Sequence, residues 1–177
     1  ESLNSGGKTN ERMENMHKET MQAHQKTAEA IQTLAENMAK FCKAFGSRPV
    51  VYRATDFKTN EYRNLNGGKA FEPEEANPML GYRGAYRYLS DPAIFELELE
   101  AIKKVRQDFK NLYLMIPFVH MPWELAEIKK IIASCGLLRS PTFKLWMMVE
   151  IPSNVILLED FIKVGIDGVS IGSNDLT

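Results

Sequence analysis

Cysteine is scarce: the 177 residues contain 2, Cys42 and Cys135. Two thiols cannot build the disulfide framework of a small secreted domain, and their separation matches no metal-ligand spacing. A reducing, cytoplasmic setting is expected. Charge of one sign is also lacking, since 22 Lys+Arg against 23 Asp+Glu leave a formal net charge of −1. That balance offers nothing to attract nucleic acid or an anionic membrane surface, so neither is expected as a partner. No apolar run approaches the ~18–20 residues of a membrane span, and Glu1-Ser2-Leu3-Asn4 has no signal-peptide h-region. What is present is 44% apolar residues, enough to build the core of one ordinary domain. The sequence starts without Met and stops at Asn174-Asp175-Leu176-Thr177, directly after an expected buried strand. A piece of a longer protein is therefore expected.

Residues 1–10 are polar, with Ser5-Gly6-Gly7, and read as a flexible linker. Residues 11–47 read as a helical segment: Ile31, Leu34, Met38, Phe41 and Phe45 recur at steps of three and four, and Gly46 and Pro49 end the pattern. Met13, Met16 and Met21 are expected in core or helix-pairing contacts, and His17 and His24 at the surface. From residue 48 the composition changes. Pro49–Arg53 reads as a short buried strand, and a long loop from Thr55 to about Met79 follows, of a length usually tied to a site. Leu80–Gly84 is a candidate second strand. Asp91-Pro92 opens a helix with Ile94, Leu97, Ala101, Ile102 and Val105 on one stripe. Leu112–Val119 is the next strand, Trp123–Ala133 a helix, and Lys144–Val149 another strand. Ser153 is the expected cap of a helix over Val155–Val164, and Gly168–Gly172 is the last strand.

Short apolar strands alternating with amphipathic helices define an α/β chain with a parallel sheet. Arg53, Arg83, Glu150, Asn174 and Asp175 all fall just past strand ends. A (β/α)₈ barrel gathers such positions on one catalytic face, whereas a doubly wound sheet gathers them at its carboxyl edge. The barrel is preferred because several consecutive strands contribute. Glu150 and Asp175, one βα unit apart, are positioned to share a Mg²⁺, a hard cation held by a couple of carboxylates with water and substrate oxygens. Arg53 and Arg83 supply permanently charged donors for phosphate or carboxylate, unless Arg53 simply pairs with Asp56 and Arg83 with another nearby carboxylate. Asn174 adds a neutral donor, and the backbone around Gly172-Ser173 can approach a ligand closely. Together these suit a small, highly anionic substrate and enolate or phosphoryl chemistry.

Five ordered stretches then carry a resemblance: Arg53–Tyr62, Asn77–Gly84, Met115–Val119, Met148–Asn154 and Ile171–Thr177. In that register the chain from about Arg48 to Thr177 resembles the C-terminal barrel of phosphoenolpyruvate synthases, within the wider group of phosphoenolpyruvate-utilising enzymes. The resemblance implies an incomplete (β/α)₈ TIM barrel over residues 48–177, with about five of its eight strands, that binds pyruvate and phosphoenolpyruvate. It implies Mg²⁺ on Glu150 and Asp175, a phosphoryl group in transit gripped by Arg53 and Arg83, and substrate oriented by Ser173 and Asn174. The parent reaction would turn ATP, pyruvate and water into AMP, phosphoenolpyruvate and phosphate, with the phosphoryl group delivered by a separate phosphohistidine domain and ATP consumed by an ATP-grasp domain.

The chain departs from that pattern at His120, where the synthases usually carry Arg, and it holds neither the proton-donating Cys motif nor the partner domains. These 177 residues are thus not expected to turn over alone. Two rival readings are a Mg²⁺-dependent lyase or aldolase on a related barrel and a non-catalytic module using Met13–Phe45 as a partner helix. An incomplete barrel leaves an open sheet edge, so a homo-oligomer or a non-closed sheet is expected.

Overall fold

The computed structural model describes residues 3–176, with side chains from Arg12 onward. Helix α1 runs Leu3–Phe45, 43 residues or about 65 Å of helix. It begins at Leu3, not near Glu11, and takes in most of the segment expected as linker. Its buried stripe is Ala35, Met38 and Cys42, with Ile31 and Leu34 half-buried beside them, and this C-terminal part packs on α4 (Ala93–Asp108). Phe41 and Phe45, expected on that stripe, are exposed, and so are Met13, Met16 and Met21, expected in packing contacts. The stretch from Arg12 to Ala30 is exposed throughout. Gly46, at φ +61°, ends the helix by donating its N–H to the Cys42 carbonyl at 3.1 Å.

Four strands follow: β1 (Val50–Arg53), β2 (Leu112–Ile116), β3 (Leu145–Val149) and β4 (Gly168–Ile171). All pairings are parallel, and the spatial order β1-β2-β3-β4 equals the chain order, without the reversal of a doubly wound sheet. This is a curled, non-closed part of a barrel wall. Period-two alternation puts Leu112, Leu114, Ile116, Leu145 and Met147 on the face packed by Phe95, Leu99 and Ile102 of α4, Leu125 and Ile128 of α5 (Pro122–Ser134) and Phe161 of α7 (Leu158–Val164). On β4 the corresponding Val169 and Ile171 are exposed, Ile171 to 71%.

The candidate strand at Leu80–Gly84 does not form. The Tyr82 N–H donates to Glu75 Oε1 at 2.9 Å instead of to a neighbouring strand, and a Cβ on Gly81 would run into the Glu75 carboxylate. Glu75 also accepts from Thr59 Oγ1 at 2.6 Å, which ties α2 (Thr59–Arg63) into the same loop. Arg87 of α3 (Gly84–Ser90) closes it by a two-bond pair with Glu72, its guanidinium lying between the Tyr62 and Tyr82 rings.

The expected Val155–Val164 helix is two, α6 (Pro152–Ile156) and α7. Ser153 does not cap: its Oγ is buried without a partner, and Asn154 Oδ1 accepts the N–H groups of Glu150 and Ile151 at 3.1 and 3.2 Å. The helix expected from Asp91-Pro92 is α4, where Pro92 takes the cap position and Asp91 Oδ1 accepts only a long bond from Ala93 N–H.

Candidate active site

The carboxyl ends of all four strands lie on one face, and those of β1, β3 and β4 carry polar groups. Arg53 is the last residue of β1, Glu150 directly follows β3, and Ser173, Asn174 and Asp175 lie in the short helix α8 (Ser173–Leu176) directly after β4. Arg83 caps α3, which Gly84 opens at φ +52°. Past β2 come Pro117 and Phe118, then His120 at the start of the turn into α5.

Arg83 is nearly fully buried and is held edge-on by Asp56: Nε to Oδ1 at 3.0 Å and Nη2 to Oδ2 at 2.7 Å. Asp175 Oδ2 lies 3.5 Å from the same Nη2. Burial alone would lower the Arg83 pKa, but the bonds and charge of Asp56 outweigh it and the net shift is upward. Beneath the guanidinium lies the Phe118 ring, 3.9 Å from the guanidinium carbon to the ring centroid.

Glu150 is 2% exposed, and its Oε1 accepts the Phe118 N–H at 2.6 Å. Burial pushes its carboxyl pKa up; the Phe118 bond works against this, and the carboxylates of Asp56 and Asp175 push it up further. Its own N–H and that of Ile151 are capped by Asn154, whose amide nitrogen donates to the Val119 carbonyl at 2.6 Å, so β2 and β3 ends are tied together. Gly172 is obligatory here, because a Cβ would come within 2.8 Å of Glu150 Cβ.

Glu150, Asp56 and Asp175 thus crowd three carboxylates around one buried guanidinium, a surplus of negative charge that a cation relieves. The donors are hard oxygens, the set Mg²⁺ prefers. Among the described residues no three His, Cys, Asp or Glu side chains form a metal-holding group, so a cation here would draw on Glu150 and Asp175 and leave positions to substrate and water. The residues fit the cation.

Of the sequence-predicted residues, Arg83, Glu150 and Asp175 are brought together. Arg53 is exposed and points a nitrogen at Met148 Sδ, 3.7 Å away, with no ion pair to Asp56 among the described residues. Asn174 is exposed. Sequence reasoning offered Asp56 only as a partner for Arg53; it belongs to Arg83. Phe118 and Asn154 gave no signal beyond belonging to the strand-end stretches.

The sequence matches the family described as PEP-utilising enzyme, PEP-binding domain, over residues 11–177. It is 52% identical over 152 residues to the probable phosphoenolpyruvate synthase of Staphylothermus marinus, covering 83% of this chain and 18% of that protein. It is 46% identical over 152 residues to the phosphoenolpyruvate synthase of Pseudomonas aeruginosa, covering 83% and 19%. To that of Escherichia coli K12 it is 48% identical over 149 residues, covering 81% and 19%. The chain therefore spans about a fifth of the length of the curated relatives it matches. A match over nearly the whole sequence, on a parallel sheet whose carboxyl ends gather arginine and acid, shows that the chain belongs to the PEP-utilising enzyme family and carries sequence of its PEP-binding domain.

Proposed function

We propose that this chain supplies the phosphoenolpyruvate and pyruvate site of a phosphoenolpyruvate synthase, a pyruvate, water dikinase that forms AMP, phosphoenolpyruvate and phosphate from ATP, pyruvate and water. The observation that carries the reading is Arg83, locked by Asp56 beside the buried Glu150 and within 3.5 Å of Asp175. A guanidinium whose orientation is set before substrate arrives spends no reorganisation when phosphoryl charge develops. Asp56 occupies Nε and Nη2, while among the described residues Nη1 has only long contacts to Met79, at 3.4 Å to the carbonyl and 3.6 Å to Sδ. That nitrogen is the one available to a substrate oxygen. Arg53, exposed at the neighbouring strand end, brings a second positive charge to a phosphoryl group in transit. Ser173 and Asn174, at the β4 end, orient the substrate carboxylate.

Mg²⁺ bound to Glu150 and Asp175 would act as a Lewis acid on the enolate and carboxylate oxygens. The Phe118 N–H holds Glu150 Oε1, and Asn154 fixes the backbone of Glu150, so this carboxylate keeps its aim. Phosphohistidine and ATP-grasp domains elsewhere in the parent protein would deliver the phosphoryl group. A cytoplasmic location follows from the reaction, and no described helix is long and apolar enough to cross a membrane.

The test is phosphoenolpyruvate formation by the full-length protein, wild type against Arg83→Ala and Arg83→Lys. Loss of at least ~10²-fold in kcat for the alanine variant, with poor rescue by lysine, is expected for a fixed charge donor at the transition state. Wild-type protein that forms no phosphoenolpyruvate from ATP and pyruvate overturns the reading.

A further inference from the structure

Phe118 is the one non-glycine residue with positive φ among the described residues, at +50°. A bulky side chain in that region is strained, and such strain persists only where surrounding structure imposes it. Three contacts impose it here. The Phe118 N–H points at Glu150 Oε1, at 2.6 Å. Its ring lies beneath the Arg83 guanidinium carbon at 3.9 Å, and the His120 ring meets it edge-on at 5.2 Å. Gly84, next to Arg83, lets the two segments come this close: a Cβ there would fall 2.6 Å from Phe118 Cβ and 2.8 Å from the Pro117 carbonyl oxygen. The backbone of one strained residue thus holds the buried carboxylate while its side chain carries the buried guanidinium.

We infer that Phe118 is a positioning residue that sets the separation and relative aim of Glu150 and Arg83, and with them the pocket that receives an anionic, phosphoryl-bearing substrate. This rests on the function proposed above. With an extended residue at 118 whose N–H still met Glu150, the side chain would swing away from Arg83, and a non-aromatic residue would leave the lower face of Arg83 without its platform. Asp56 fixes the guanidinium within its own plane; Phe118 fixes the tilt of that plane. The strained backbone is what allows a single residue to serve both groups.

The test uses the full-length enzyme with Phe118→Leu, which keeps an apolar side chain without the ring, and Phe118→Tyr, which keeps the ring. Phe118→Leu is expected to lower kcat/KM for pyruvate by roughly tenfold, the scale of a shielded cation–π contact, and Phe118→Tyr to restore it to within about threefold. Crystal structures of both variants supply a readout independent of activity: the Arg83 guanidinium should leave its wild-type plane in Phe118→Leu and keep it in Phe118→Tyr. A Phe118→Leu enzyme that melts earlier but keeps its kinetic constants and its Arg83 orientation would show a merely structural residue and overturn the inference. If wild type lacks the proposed activity while Arg83 still tilts in Phe118→Leu, the functional reading fails and the positioning relation stands.

Discussion

Arg83 and Asp56 meet through two parallel hydrogen bonds, at 3.0 and 2.7 Å, with their side chains only 6% and 4% exposed. One comes from the cap of α3 and the other from the loop after β1, so the pair fastens the long loop to the barrel wall while aiming a charge into the site.

Removing one partner of such a pair leaves a buried charge uncompensated. Asp56→Ala is expected to destabilise the fold by about 3 kcal/mol, at the lower end for buried pairs because Asp175 remains near Arg83. Asp56→Asn, which keeps one acceptor, should cost less. Urea unfolding followed by circular dichroism measures both, and an Asp56→Asn variant as stable as wild type would show that the charge on Asp56 is immaterial.

Glu98, on α4, reaches across to the end of β1. It accepts from Tyr52 Oη at 2.9 Å and from the Thr55 N–H at 3.0 Å, while Tyr88 donates its hydroxyl to the Thr55 carbonyl. Glu98→Ala strands two half-buried donors and is expected to cost about 2 kcal/mol, whereas Glu98→Gln keeps the acceptor oxygen and should cost about 1 kcal/mol or less. Thermal unfolding of the two variants distinguishes them, and a Gln variant as unstable as the Ala variant would contradict this account of the clamp.

Asp167, just before β4, has its pKa pulled down to about 2 by its hydrogen bonds with Arg139, assisted by the Leu145 N–H, against a smaller upward push from burial. Because the folded value lies below the unfolded value of ~3.9, the stabilisation is fully present above about pH 4 and is lost as pH falls toward 2. Arg139 is half-exposed, so the contribution is about 1 kcal/mol. Arg139→Ala should flatten the fall in stability between about pH 4 and pH 2; an unchanged acid limb would exclude Asp167 as its source.

Val169 and Ile171 leave an apolar strip on β4, which among the described residues has no neighbour on its outer edge. The 177-residue chain is expected to self-associate through it, and Ile171→Lys to raise the monomer fraction in sedimentation velocity without lowering the unfolding midpoint. Wild type that is monomeric at every concentration would show that the strip does not pair.

The four strands were legible because each is a short apolar run bounded by turn residues, and the strand-end acids and arginines followed from those boundaries. The false strand at Leu80–Gly84 shows the limit: its pattern suits a strand, but the Glu75 carboxylate, seven residues earlier in the loop, claims the Tyr82 N–H. The stripe on α1 was misplaced for a related reason. Ile31 to Phe45 fits one helical face, yet the face that packs is rotated toward Ala35 and Cys42, because the surface it meets comes from α4 and is invisible in α1 itself. Asp56 escaped as the Arg83 partner since only the fold brings residues 27 apart in sequence into contact.

The most direct test of the account is equilibrium binding of phosphoenolpyruvate to the full-length protein, with and without Mg²⁺, in wild type, Glu150→Gln and Asp175→Asn. Mg²⁺ should tighten wild-type binding by at least ~tenfold, and each substitution should remove that gain. Equal Mg²⁺ enhancement in all three proteins would contradict a cation held by the β3 and β4 ends, and wild type without affinity for phosphoenolpyruvate would contradict the site itself.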